Sequence, residues 1–257
     1  MLLRRLLRPG LIALGLFAAM TASVVNADTV TFASFKPSST TPANPFTYTS
    51  SGQAGLGGLA TFQTATIPVD FSFAPGNPFT TGLAAALLGT QNAKLTLTAN
   101  SEQGVTIFGG LAFQQHMYGT LEIRRATPYL GKDLLLKIEF GQQSNINSGG
   151  LYFGVPNGST STLSADQRNN DYVKFTSDFI DFAGLNATDE NMSLTFTSVN
   201  PGLIRNNLSK FFVNHTGTGT GSFAATASVP EPASIAAALT GVAFAGLAVI
   251  RRRTAKS

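Results

Sequence analysis

The 257-residue sequence contains no cysteine. That excludes disulfides, thiolate metal sites and a cysteine nucleophile. Tryptophan is also missing, and histidine occurs only at His116 and His215. Charged residues make up 12% of the chain, so Ser, Thr, Asn, Gln and Gly must cover most of its surface. Such a surface suits neutral hydrogen-bonding surroundings such as polysaccharide. No G-x-S-x-G elbow presents a serine nucleophile. The glycines between Gly52 and Gly58 lack a phosphate-loop lysine. No internal repeat of fixed period is present. No cofactor and no catalytic residue are expected from these patterns, and the chain reads as non-enzymatic.

The formal net charge of +4 is unevenly spread. Seven of the 17 basic residues lie at the ends, at Arg4, Arg5, Arg8, Arg251, Arg252, Arg253 and Lys256. Of the 13 acidic residues only Glu231 does. Residues 28–229 therefore hold 10 basic and 12 acidic side chains, a net charge of −2. Nucleic acid is not an expected partner, because its binding needs a concentrated positive field.

The two ends read as signals. Arg4, Arg5 and Arg8 form a basic region ahead of an apolar stretch, Leu11 to Ala22. Val25-Asn26-Ala27 has the small or branched residues of a cleavage site, which places signal-peptide cleavage after Ala27. At the other end, Ala233 to Ile250 is uncharged, with Ser234 and Thr240 its only polar side chains. As a helix this run would be about 27 Å long, just enough to span a bilayer core. Arg251, Arg252 and Arg253 follow it directly and favour the cytoplasmic side. The expected transmembrane helix thus leaves everything before Val229 outside.

The tail begins Val229-Pro230-Glu231-Pro232-Ala233-Ser234 and closes with Arg251-Arg252-Arg253 near the chain end. In order and spacing it resembles the PEP-CTERM sorting signal of Gram-negative bacteria. The resemblance implies recognition by an exosortase, a membrane-embedded transpeptidase-like enzyme that cuts near Pro230-Glu231-Pro232. It also implies delivery to the cell surface or matrix of an organism that makes exopolysaccharide and biofilm. The same kind of tail is known as an ice-binding-protein C-terminal region. Residues 191–223 resemble the C-terminal portion of many PEP-CTERM proteins, which implies one continuous domain up to the tail.

The body, 28–228, has a β pattern throughout. Leu95, Leu97 and Ala99 alternate with Thr96 and Thr98. Leu134, Leu136, Ile138 and Phe140 are expected inward, with Lys137 and Glu139 outward. Met192 to Thr197 follows the same rule, and Thr29–Phe35 opens the series. Further strands are expected at 60–66, 69–73, 104–108, 119–124, 151–155, 172–175 and 211–214. Turn clusters lie at 37–45, 75–78, 144–150 and 156–161. Thr81–Leu88 reads as a short helix, and 216–226 as a last strand or a flexible lead. About ten short strands without alternating helices predict an all-β, antiparallel β-sandwich, jelly-roll-like in size. The signal peptide 1–27 and the sorting signal 229–257 flank it.

Within the body the chemistry-bearing residues are few. His116 and Glu122 could pair for acid/base work, while His215 reads as a loop residue. Glu102, Glu122 and Glu139 include possible facing carboxylates of a polysaccharide-active enzyme. Asp166, Asp171, Asp178 and Asp181 make an acidic stretch, in which Asp166 and Asp171 are candidate Ca²⁺ ligands. Thr-x-Thr pairs at 29/31, 47/49, 64/66, 96/98 and 195/197 would line one strand face with hydroxyls, as on ice-binding surfaces. A carbohydrate-binding module would instead expose Tyr48, Tyr118, Tyr129, Tyr152 or Tyr172. The expectation is a structural or adhesive surface protein, with exosortase and membrane as partners during sorting and exopolysaccharide as a possible contact.

Overall fold

A computed structural model describes residues 28–109, 111–143 and 149–227. Ala27 and the sorting residues Pro230, Glu231, Pro232, Arg251, Arg252 and Arg253 lie outside the described residues, as does the 233–250 span. Among the described residues twelve strands run in order: β1 (Val30–Pro37), β2 (Phe46–Ser51), β3 (Leu59–Phe73), β4 (Thr90–Ser101), β5 (Thr106–Phe108), β6 (Ala112–Tyr129), β7 (Lys132–Phe140), β8 (Gly150–Gly154), β9 (Ser161–Asp166), β10 (Val173–Thr176), β11 (Thr188–Asn200) and β12 (His215–Thr226). The expected helix at 81–88 is a single 3-10 turn, Ala85–Leu87. No helix among the described residues is long and apolar enough to cross a membrane.

All pairings are antiparallel and join the strands into one sheet. The ladders return on themselves. From β3 the path runs through β4, β6, β8, β9, β11 and β12, and then back to β3 through either β1 or β2. Strand β6 is long enough to serve two neighbours on each side. Residues 113–117 pair with β8 and residues 119–124 with β7, while β5 and β4 share its other edge. β10 extends β7.

The alternation that makes these strands also fills the interior. Leu95, Leu97 and Ala99 of β4 are buried, as are Met192, Leu194 and Phe196 of β11. Phe32, Phe79, Phe175 and Phe182 pack ring to ring, with centroids 5.2–5.8 Å apart. Phe46, Phe62, Phe196, Tyr48, Tyr152 and Phe212 form a second cluster. Fully burying one such ring contributes about 1.5–3 kcal/mol.

Strand β7 corrects the predicted phase. Ile123 pairs with Leu136 but Arg124 pairs with Leu134, so Leu135 is an extra, unpaired residue. The bulge puts Leu135 and Leu136 both inside and leaves Leu134 only half-buried.

Strand β12 explains the Thr-Gly-Thr-Gly-Thr-Gly run. Gly217, Gly219 and Gly221 face inward. A Cβ on Gly219 would sit 2.8 Å from the Phe196 ring, and one on Gly221 would collide with Phe35. Glycine here admits aromatic rings against the backbone.

Candidate functional site

Among the described residues polar side chains gather in the interior, at a seam between strands and on the outer faces. The interior group centres on His215, which the sequence placed in a loop. Its phase along β12 is that of the inward glycines, and it is 3% exposed. Its Nδ1 donates to the Val213 carbonyl at 2.8 Å, which leaves Nε2 to accept from the Tyr152 hydroxyl at 2.7 Å. Ser161 Oγ completes Tyr152 at 2.9 Å. The His215 ring stacks on Tyr48, centroids 4.8 Å apart. Tyr48 donates to Gln115 Oε1 at 2.8 Å, and Gln115 donates to the Gln103 carbonyl at 2.7 Å.

Burial pushes both phenols above their ordinary range and holds the His215 imidazole below its own, against the Val213 hydrogen bond that raises it. The network is neutral and satisfied, so its chemistry is that of a lock between β2, β6, β8 and β12. It also removes Tyr48 and Tyr152 from any exposed aromatic platform, since both are wholly buried.

The seam is held by Glu190 of β11. It occupies the inward phase two residues before Met192, a position that extending the β11 alternation would have flagged. Its Oε2 accepts from the Phe175 backbone N–H at 2.8 Å, while Gln167 Oε1 accepts its own N–H at 3.0 Å. Burial raises the carboxyl to about 7, against the opposing hydrogen bond from Phe175 and the charge of Lys174. Glu190 thereby ties β10 to β11 where no ladder does.

The outer faces carry the remaining candidates. His116 and Glu122 both lie on β6, six residues and so about 20 Å apart, and do not pair. Glu102 sits between β4 and β5 and accepts from Gln143 at 2.9 Å. Glu122 and Glu139 share the outer face of β6 and β7, but each is engaged by its own cation, Arg124 and Lys137. The four aspartates are spent on turns. Asp166 caps Arg168 N–H at 3.0 Å and holds its guanidinium at 2.8 Å, and Asp171 accepts from the Asp166 N–H at 3.0 Å. Burial alone would raise the Asp166 carboxyl, but Arg168 outweighs it and lowers it. Asp178 accepts from the Asp133 and Leu134 N–H groups, and Asp181 from that of Gly184. Among the described residues no three His, Asp or Glu side chains gather as a metal site.

The hydroxyl array forms across strands rather than along a repeat. Thr195 pairs with Thr162 on one side and Thr220 on the other; Thr197 pairs with Thr218, Thr216 with Thr47, and Thr49 with Thr61. The 64/66 pair does not join one face: Thr64 is buried and Thr66 exposed.

A concavity of ≈ 460 Å³ opens on the charged face, lined by Thr66, Lys94, Thr96, Glu122, Arg124, Arg125, Ala126, Pro128 and Asp133. Arg124 bridges Glu122 and Asp133, the latter at 2.7 Å. The groove contains neither Glu102 nor Glu139.

No protein-family profile, curated protein or solved structure matches the chain.

Proposed function

We propose that the chain is an exported protein of the cell surface or extracellular matrix of a Gram-negative bacterium. It is sorted through an exosortase-type pathway, and its β domain has a structural or adhesive role rather than a catalytic one. The observation that carries this reading is the succession of motifs in the tail sequence: Pro230-Glu231-Pro232, an uncharged stretch of bilayer length, then Arg251-Arg252-Arg253. The N-terminal signal ending at Ala27 supports it. So does the body's own construction. Its first and last strands pair with each other, Val30 with Ala225, and Thr29 bonds Thr226 at 2.9 Å. Removing both signals would leave that sheet intact. On this reading the closed sheet is flattened over its aromatic core into the expected two-layer sandwich. Exosortase and the membrane are transient partners, exopolysaccharide is the matrix contact, and nucleic acid is none.

The test is tail processing in the native host. Glu231→Ala, or loss of the exosortase, should leave unprocessed chain in the membrane fraction and none at the surface. Unchanged processing and delivery would refute the reading.

A second reading, an ice-binding surface, is favoured by the in-register threonines of β9, β11, β12 and β2. It predicts thermal hysteresis in the wild-type protein that Thr195→Lys abolishes. Absence of hysteresis in the wild type removes it.

A further inference from the structure

Among the described residues, nine of the ten exposed large apolar side chains lie toward one end of the sheet, and Leu130 alone lies at the other. It is the end where β3 and β6 begin and where β11 gives way to β12. Six of the nine, Leu56, Ile107, Phe108, Leu111, Ile204 and Leu208, are 40–85% exposed and stand on three loops. The loops are 52–58 after β2, the β5–β6 hairpin, and 201–214 between β11 and β12. They adjoin one another. The Ala54 N–H donates to the Ser209 carbonyl at 2.9 Å, and the Val105 N–H to the Lys210 carbonyl at 2.7 Å. A Cβ on Gly104 would lie 3.0 Å from that of Lys210 and 3.2 Å from that of Ala54, so all three loops meet there.

Singly exposed apolar residues are ordinary. Six at these exposures leave about four whole side chains in water, a few hundred Å², on adjoining loops. Apolar patches of that size mark interaction surfaces.

The same end says what covers it. β5 pairs only with β6, so among the described residues its outer edge is unpaired. All three of its residues, Thr106, Ile107 and Phe108, are exposed. An unpaired apolar edge recruits another strand. The same edge of a second copy can lie antiparallel to it across a two-fold axis, which places Ile107 at the centre of the pairing. The three loops and their margins carry Glu102, Arg205 and Lys210 as their charged residues. Both signs are present, so a second copy meets opposite charge, whereas an anionic membrane would meet Glu102. About 25 residues of this end reach the surface, against the roughly 20–30 that each side of a stable interface contributes.

We infer that two copies of the chain dock end to end through this patch, their β5 edges paired antiparallel about a two-fold axis. Contact of a patch with itself closes at two copies and does not propagate. The chain enters and leaves the body at the far end, where Val30 pairs with Ala225, so the pair carries its chain ends at opposite poles. The inference does not depend on how the chain is sorted. Joined to the adhesive role proposed above, it makes the adhesion one between like molecules on facing surfaces.

The test uses the absence of cysteine: one introduced thiol is the only one in the chain. Full-length Thr106→Cys and Asn207→Cys, both at exposed positions of the patch, are expressed in the native host and treated with a membrane-permeant bismaleimide. A covalent dimer of twice the chain mass should accumulate in at least one of them, at least fivefold above Leu130→Cys at the other end. Adding Phe108→Asp should cut that yield at least fivefold. Should that chain accumulate poorly, Leu208→Asp, on a different loop and 85% exposed, carries the test. No dimer from either patch cysteine, an equal yield from Leu130→Cys, or full yield in the aspartate variants would each overturn the proposal. So would patch cysteines shielded from a thiol reagent without a dimer, which would identify a membrane or a different protein as the occupant. The cross-link is read in every cell fraction and tail processing is read separately, so failure of one proposal is distinguishable from failure of the other.

Discussion

The two outer faces of this sheet are built on the same pleat and cover the same aromatic core, yet they differ in every other respect. The face of β9, β11, β12 and β2 presents threonine. Its β11–β12 register is unbroken from Asn191 to Thr197, and opposite that stretch the inward β12 positions, Gly217, Gly219 and Gly221, are glycine. The face of β4, β6, β7 and β10 presents Lys94, Arg124, Glu122, Lys137, Glu139 and Lys174 over large inward side chains, and its ladders are interrupted at 65–66, 125–128 and Leu135. Only the second is accompanied by the ≈ 460 Å³ groove. A regular ladder gives a surface; a concavity needs residues left over from pairing.

The comparison can be broken from underneath. Leu121 lies below the charged face and is wholly buried, so Leu121→Ala should cost about 2–5 kcal/mol in urea unfolding through the cavity it leaves. Under the threonine face the opposite change does the damage. Gly221→Val forces a side chain into Phe35 and Leu194 and should cost about 1–3 kcal/mol. If Gly221→Val is neutral, the close ring-to-backbone packing is wrong.

The seam between the faces should respond to pH. Glu190, at about 7 in the folded chain against an ordinary 4.5, keeps its proton where the unfolded chain has lost it. Stability therefore falls as pH rises from about 4.5 to 7 and levels off above. His215 works the other way: its lowered imidazole costs stability as pH falls below 6.5. Thermal melts of the wild type and Glu190→Gln from pH 4 to 8 separate them. The wild type should lose ground to the variant as pH rises through that window, and a constant gap would show that Glu190 titrates normally.

The smallest effects distinguish the faces at their surfaces. Asp133→Asn breaks an exposed pair with Arg124 and should cost about 0.2–1 kcal/mol, vanishing in molar salt. Thr195→Val, exposed on the other face, should stay within about 0.5 kcal/mol at any salt concentration. Equal salt sensitivity in the two variants would erase the distinction.

Much of this was legible where alternation is regular. The cores of β4 and β11 follow directly from Leu95-Thr96-Leu97-Thr98 and Met192-Ser193-Leu194-Thr195. The segments predicted at 60–66 and 69–73 are one strand, β3, because a bulge interrupts the phase without ending the pairing. Strands β2 and β9 went unrecognised. Phe46-Thr-Tyr-Thr and Ser161-Thr-Leu-Ser-Ala are short, and their polar outward residues resemble turn composition. The predicted strand at 211–214 is a bridge only, Arg205 to Phe212. Glu122 and Asp166 were visible as carboxylates, but their commitment to Arg124 and Arg168 depends on side-chain reach within one segment. The groove was hidden because it depends on register between strands, which no single segment encodes.

Strand β12 carries one more consequence, for the order of events in time. It is the last strand in the body, and its edges are shared among β1, β2 and β11. In a chain made N-terminus first, those three strands emerge with open hydrogen-bonding edges and wait for residues 215–226. Exposed edges recruit other chains, and pairing of sequence-distant strands such as Val30 with Ala225 is slow. Arrest of synthesis before His215 should therefore yield an aggregation-prone fragment rather than a partial domain. The uncharged glycine–threonine run is the piece whose arrival ends that exposure.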